Sequence, residues 1–233
     1  MSPVPHVRVE ALADDAWLLT LGDAIEPALL ARVHARVDDL RATAPPGILD
    51  LVPAYASIGV FFDPLRVGAG EVRAWLQARL DSDALQRREG GGACIDVPVA
   101  YGGEFGPDLE DAARELGLDA ETLALRHAAA EYTVAMIGFA PGFPYLAGLD
   151  PALALPRLAT PRTRVPAGSV AIGGAQTGIY PRESPGGWRL LGRTPLALFE
   201  PGRASPALLQ PGDRVRFRPI DADAFARLGE ARA

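Results

Sequence analysis

Six arginines, Arg157, Arg162, Arg164, Arg182, Arg189 and Arg193, fall between Ile137 and Thr194, against only two carboxylates, Asp150 and Glu183. A guanidinium presents a planar fork of N–H donors that matches a carboxylate or a phosphate, so this stretch has the means to hold an anion. Glycines lie among the arginines. Gly173-Gly174 and Pro185-Gly186-Gly187 put backbone amides near the ends of expected strands, where the absent side chain lets a ligand approach closely. Gln176 offers both donor and acceptor, which suits an amide. Phe143, Tyr145, Tyr180 and Trp188 supply walls for a small-molecule pocket. The competing readings are an arginine-rich contact surface for a partner, glycines that serve turns and bulges, and aromatics that pack a core.

The rest of the chain limits the chemistry. All 23 basic residues are arginine. Without lysine there is neither a Schiff-base lysine nor a P-loop lysine. Asparagine is also missing, histidine occurs only at His6, His34 and His127, and Cys94 is the single cysteine. A histidine-rich metal centre, a multi-cysteine metal site and an internal disulfide are therefore not expected. Ser169 and Ser184 lack the context of a nucleophile elbow. The net charge of −6 argues against non-specific nucleic-acid binding. No apolar run approaches the roughly 20 residues that span a bilayer, and MSPVPHVRVE lacks the marks of a signal peptide. The expectation is a cytoplasmic protein that engages neither nucleic acid nor membrane.

The elements that position these residues follow from periodicity and breakers. Alternation predicts strands over 6–10 and 16–21. Asp23 and Glu26 have capping-box spacing ahead of Leu29, Leu30, Val33, Val37 and Leu40 at helical spacing, in a helix that stops before Pro45-Pro46-Gly47. Strands are expected over 48–53 and 56–62, a helix over about 70–80, the run Gly90-Gly91-Gly92 and then a strand over 93–99. Asp108 and Asp119 read as N-caps of two helices, ending near Gly117 and Ala129. After Tyr132, ten glycines and nine prolines over 138–195 exclude long helices. The short apolar runs TVAMIGF, GSVAIGG, TGIYP, WRLLGRTP, LALF and DRVRFRPI predict an all-β barrel or sandwich, with a terminal helix or tail from Asp221. The fold class is α+β, a small α/β sandwich over 1–90 followed by an all-β domain over 91–233.

GFAPGFPYL (138–146), PRTRVPAGSVAIGGAQTGIYP (161–181) and SPGGWRLLGRTP (184–195) closely resemble the 5-oxoprolinase B-subunit family, with YGGEFGPDLE (101–110) and GDRVRF (212–217) matching as well. The same family is called allophanate hydrolase subunit 1 and includes the KipI-type kinase inhibitors. The resemblance implies a cyclophilin-like β-barrel for the second domain and a stable complex with the KipA-like partner protein of a 5-oxoprolinase. It also implies a third component, of the LamB/YcsF type, and opening of 5-oxoproline to glutamate at the expense of ATP. The alternatives it carries are inhibition of a sensor histidine kinase and one half of a urea or amide carboxyltransferase.

Opening a stable lactam with ATP, by phosphorylating its amide oxygen, needs donors for phosphate and carboxylate oxygens. Arg162 and Arg193 lie inside the matching motifs and are the first candidates, with a structural salt bridge or carbonyl capping as the competing role. His127, expected near a helix C-terminus where the dipole favours an imidazolium, is a candidate acid/base, against capping or packing. Glu104 and Glu183 are the carboxylates within or beside matching segments and could orient an amide or a metal ion, against a solvated or structural role. The set lacks a clear nucleophile, a nucleotide-binding loop and an acidic metal cluster. It reads as half an active site, with ATP and Mg held in whole or part by partner proteins.

Overall fold

The computed structural model describes residues 7–80 and 92–230. The glycines at 90 and 91, His6 and the last three residues of the tail lie outside the described residues. The chain divides into two compact units, 1–91 and 92–233.

The first unit is an antiparallel sheet backed by two helices. Its strands β1 (Arg8–Ala13), β2 (Ala16–Thr20), β3 (Ile48–Pro53) and β4 (Ser57–Phe62) take the order β1-β2-β4-β3. Period-2 alternation places Ile58, Val60 and Phe62 on the face that meets the helices α1 (Pro27–Thr43) and α2 (Ala69–Leu80). Val33, Val37 and Leu40 of α1 and Val72 and Leu76 of α2 close that core. The expected capping box is not formed. Helix α1 starts at Pro27, and its N-cap Glu26 makes no side-chain cap. Proline, with its fixed φ and no N–H, opens the helix instead.

The second unit is built on a closed barrel. Strand β5 (Cys94–Tyr101) leads to two helices, α3 (Leu109–Glu115) and α4 (Ala120–Ala129), and then to β6 (Glu131–Ile137) and β7 (Pro144–Ala147). The chain continues through β8 (Arg162–Val165), β9 (Ser169–Gly173), β10 (Gln176–Ile179), β11 (Ser184–Gly186), β12 (Arg189–Arg193) and β13 (Arg214–Ile220), and ends in α5 (Ala222–Glu230). The barrel order is β10-β7-β6-β13-β5-β12-β9, with β9 returning to β10. The last strand, β13, runs parallel to the first, β5, from Cys94 opposite Arg214 to Ala100 opposite Ile220. Val97, Val134, Leu146, Ile172, Leu191 and Phe217 fill the interior.

Outside the barrel, β8 and β11 pair as a two-stranded flap. A smaller cluster of Phe143, Val165, Ala171, Tyr180, Trp188 and Leu190 forms a second apolar centre. Strands β7, β8 and β11 escape sequence reading because proline and glycine mask their pattern. The expected strand LALF is irregular and makes one isolated bridge, Phe199 to Ala207. Among the described residues no helix is long and apolar enough to cross a membrane.

Candidate functional site

Turn chemistry builds the rim of the site. Between β6 and β7 the chain reverses at Gly138–Phe143, where Ala140 N–H donates to Gly138 O at 2.7 Å around Phe139 at φ +63°. A γ-turn of positive φ is rare and strained, and a bulky residue there is a true outlier. The turn holds Phe139 63% exposed at the mouth of a pocket, edge-on to Phe143 at 5.4 Å and to Tyr180 at 6.3 Å. Phe143 in turn stands perpendicular to Tyr180 at 5.2 Å and to Trp188 at 5.7 Å. Such edge-to-face pairs each add about 0.5–1.5 kcal/mol beyond area burial, so the rings form fixed walls. Tyr145, Arg157 and the backbone of Pro185–Gly187 complete a cavity of about 130 Å³.

Two glycines hold these walls in place. A Cβ on Gly173 would lie 2.5 Å from the Trp188 ring, and one on Gly186 would lie 2.3 Å from the Tyr180 hydroxyl oxygen. Both positions exclude any larger residue because an aromatic occupies the space. Burial holds the phenols of Tyr145 and Tyr180 above their ordinary value, against the opposing pull of the Arg157 charge and, for Tyr180, of the Trp188 backbone and Arg162. Both phenols are therefore neutral donors at neutral pH, not nucleophiles. Arg157 itself lies over Trp188, its guanidinium carbon 5.8 Å from the ring centroid.

The expected residues divide sharply. Phe143, Tyr145, Tyr180, Gly186 and Gly187 come together around the pocket, with Trp188. Gly173 acts from behind Trp188 and not through an open amide. Gly174 has its N–H bound to Leu155 O at 2.7 Å, so the expected anion-binding concavity is closed by the protein itself. Gln176 opens β10 opposite Gly173 and does not line the pocket.

The two first-choice arginines are also engaged. Arg162 Nη2 donates to Asp108 Oδ1 at 2.5 Å, and Arg193 Nε donates to Ala167 O at 2.8 Å while its guanidinium lies over Phe225. Asp108 is not the side-chain cap of α3 that its position suggests. Its second oxygen accepts from Leu190 N at 2.7 Å, so it ties β8 to β12. Losing this carboxylate strands a buried amide and a partly buried cation. Asp108→Ala is expected to lower unfolding free energy by about 2–3 kcal/mol, and the double variant Asp108→Ala/Arg162→Met by clearly less, because there the cation leaves with its partner. Denaturant titration of the two variants checks the order, and equal losses would contradict it.

The expected acid/base residues lie away from the pocket. Glu183 is held below its ordinary value by hydrogen bonds from Arg164, an exposed bidentate pair on the flap. Glu104 is exposed in the turn after β5. His127 lies in the last turn of α4, as expected, but it is completely buried and burial lowers its pKa to about 3. Thr177 donates its hydroxyl proton to Ala171 O at 2.9 Å and so accepts from His127 Nε2 at 2.9 Å. Nδ1 is then the acceptor for the Tyr101 hydroxyl at 2.8 Å. The ring is neutral, fully bonded and stacked on Phe217 at 4.9 Å. The expected imidazolium is overturned by magnitude. The helix C-terminus offers about 0.3–2 kcal/mol, whereas a shift of this size reflects several.

Sequence reasoning missed Phe139 as a site residue, and it counted Arg157 among the six arginines without singling it out. Arg157 follows Pro156 in an irregular segment, and a cation outside any strand ladder is the signal that could have marked it. Among the described residues no three His, Cys, Asp or Glu side chains gather to hold a metal ion.

The model of the carboxyltransferase domain, subdomain C and D, matches residues 7–209. The 5-oxoprolinase B subunit of Bacillus subtilis (strain 168) is 40% identical over 220 residues, which cover 90% of this chain and 91% of that protein. The 5-oxoprolinase B subunit of Escherichia coli O157:H7 is 42% identical over 201 residues, covering 84% and 89%. Among solved structures, TTHA0988 in space group P212121 matches with a TM-score of 0.77 at 40% identity. That match covers 93% of this chain and 41% of the longer one.

Proposed function

The chain belongs to the carboxyltransferase-domain family of subdomains C and D that includes the 5-oxoprolinase B subunits, and on that premise we propose that it is a non-autonomous subunit of an ATP-dependent 5-oxoprolinase. One observation carries the reading: the barrel unit holds a ring-sized aromatic pocket with an arginine at its rim and no carboxylate, histidine or metal cluster in its lining. Such a pocket can bind and orient a lactam. It cannot activate one.

The residues present do not fit Mg-ATP. Arg162, Arg164 and Arg189 are paired with Asp108, Glu183 and Glu115, and no acidic cluster faces the pocket. The nucleotide and its metal therefore belong, in this proposal, to the KipA-like and LamB/YcsF-type partners. The length relation supports a shared site. The same fold spans nearly all of one relative and 41% of a longer chain, as expected of a unit that works beside another whether separate or fused.

The purified chain should show negligible oxoproline-dependent ATP hydrolysis and gain it when the KipA-like and LamB/YcsF-type proteins are added. Full activity from the chain alone would overturn the shared site, and an inactive reconstituted complex would overturn the substrate. The family description favours a second reading, one half of a urea or amide carboxyltransferase. That reading requires a biotin-carrying partner, so activity abolished by avidin would select it.

A further inference from the structure

We propose that the aromatic pocket selects a planar ring bearing a carboxylate, and that Arg157 is the residue that reads the carboxylate. The proposal rests on the lactam reading above and deepens it.

Arg157 is the arginine in the lining of the pocket; Arg182, exposed and likewise without a carboxylate partner among the described residues, is not in that lining. Arg162 and Arg164 are tied to Asp108 and Glu183, Arg189 to Glu115 and the Pro156 carbonyl, and Arg193 to the Ala167 carbonyl. Arg157 has no carboxylate partner among the described residues and is exposed. Its one fixed contact is the face of Trp188, at 5.8 Å. That contact uses the positive charge and restrains the side chain, while the N–H fork stays available to a bidentate acceptor. Its charge also reaches the pocket interior, since it pulls on both the Tyr145 and Tyr180 phenols.

The walls set the rest of the ligand. Phe143 packs edge-to-face against Tyr180 and Trp188 at 88°, so these buried rings give the cavity a rigid aromatic floor on which a flat ring can rest. The cavity of about 130 Å³ falls well below the roughly 300–1,000 Å³ of drug-sized sites, so it has room for one small ring and not for a whole nucleotide. A carboxylate projecting from that ring at the mouth meets Arg157. A lactam lacking the carboxylate fills the same cavity but leaves the cation without a partner.

The test uses the full-length chain and follows quenching of Trp188 fluorescence, with Trp188→Phe to subtract the signal of Trp17 and Trp75. 5-Oxoproline should bind at least roughly tenfold more tightly than 2-pyrrolidinone, the same ring without the carboxylate. Arg157→Gln should abolish that preference while retaining 2-pyrrolidinone binding, and Arg157→Lys should restore part of it. Equal affinity of the native chain for the two lactams, or an unchanged preference in Arg157→Gln, overturns the proposal. So does tighter binding of AMP than of 5-oxoproline. The two readings fail separately: a preference that holds beside an inactive reconstituted complex removes the oxoprolinase assignment only. Hydrolysis by a complex whose Arg157→Gln variant keeps its preference removes the role of Arg157 only.

Discussion

As pH falls from 6.5 towards 3, the barrel unit is expected to lose about 1.4 kcal/mol of stability per pH unit through His127 alone. The folded imidazole is held neutral by burial down to about 3, whereas the unfolded one takes up a proton near its ordinary 6.5. In that window the unfolded chain binds more protons, so acid favours unfolding. The contribution is fully present above 6.5 and is lost progressively below it. Protonation would also turn Nδ1 from acceptor to donor against the Tyr101 hydroxyl, whose phenol burial pushes well above its ordinary value. His127→Gln should cost about 1–3 kcal/mol at neutral pH and flatten the acid limb. Urea unfolding of both proteins across the window measures the two slopes, and parallel slopes would remove His127 as their cause. A histidine in this role is a beam of the barrel, joining α4 to β5 and β10.

Gly173→Ala is expected to damage the pocket as severely as any substitution in its lining. The new methyl would lie 2.5 Å from the Trp188 ring. Since that ring is 5% exposed and boxed by Phe143 and Tyr145, it can move only outward. Overpacking of this kind costs about 1–3 kcal/mol, and displacement of a wall should weaken 5-oxoproline binding roughly tenfold or more. Gly174→Ala is the control one residue away. Its Cβ meets nothing within 4 Å, although the backbone sits at φ +67°. Strain there should cost about 1–2 kcal/mol and leave Trp188 fluorescence and ligand affinity intact. Equal losses of affinity in both variants would show that the effect is general destabilisation.

The contrast between these neighbours shows what is legible in the chain. Local signals hold where local physics decides, as at Asp119, which accepts from Thr122 N at 2.7 Å and caps α4. They fail where a distant partner wins. Asp108 has the same chemistry and the same position before a helix, but Leu190 N and Arg162, 82 and 54 residues away, take its oxygens. Asp23 and Glu26 have the spacing of a capping box, and Pro27 makes it unnecessary. The site follows the same rule. Its aromatic walls are readable from the sequence, because few residues other than aromatics make such walls. Which arginine stays uncommitted and also reaches the pocket depends on every carboxylate within reach and on the path of the chain, and both are properties of the folded surface.

The parallel pairing of β5 with β13 has a consequence for synthesis. The Asp96–Arg216 contact across this pair spans 120 residues of chain. On the ribosome, β5 and β6 must wait with open edges until the final strand emerges between them, because β13 is the stave that separates and joins them. Non-local closure of this kind slows folding and exposes strand edges to other chains. A nascent chain that stalls before Arg214 is a barrel with a missing stave, a natural client for chaperones.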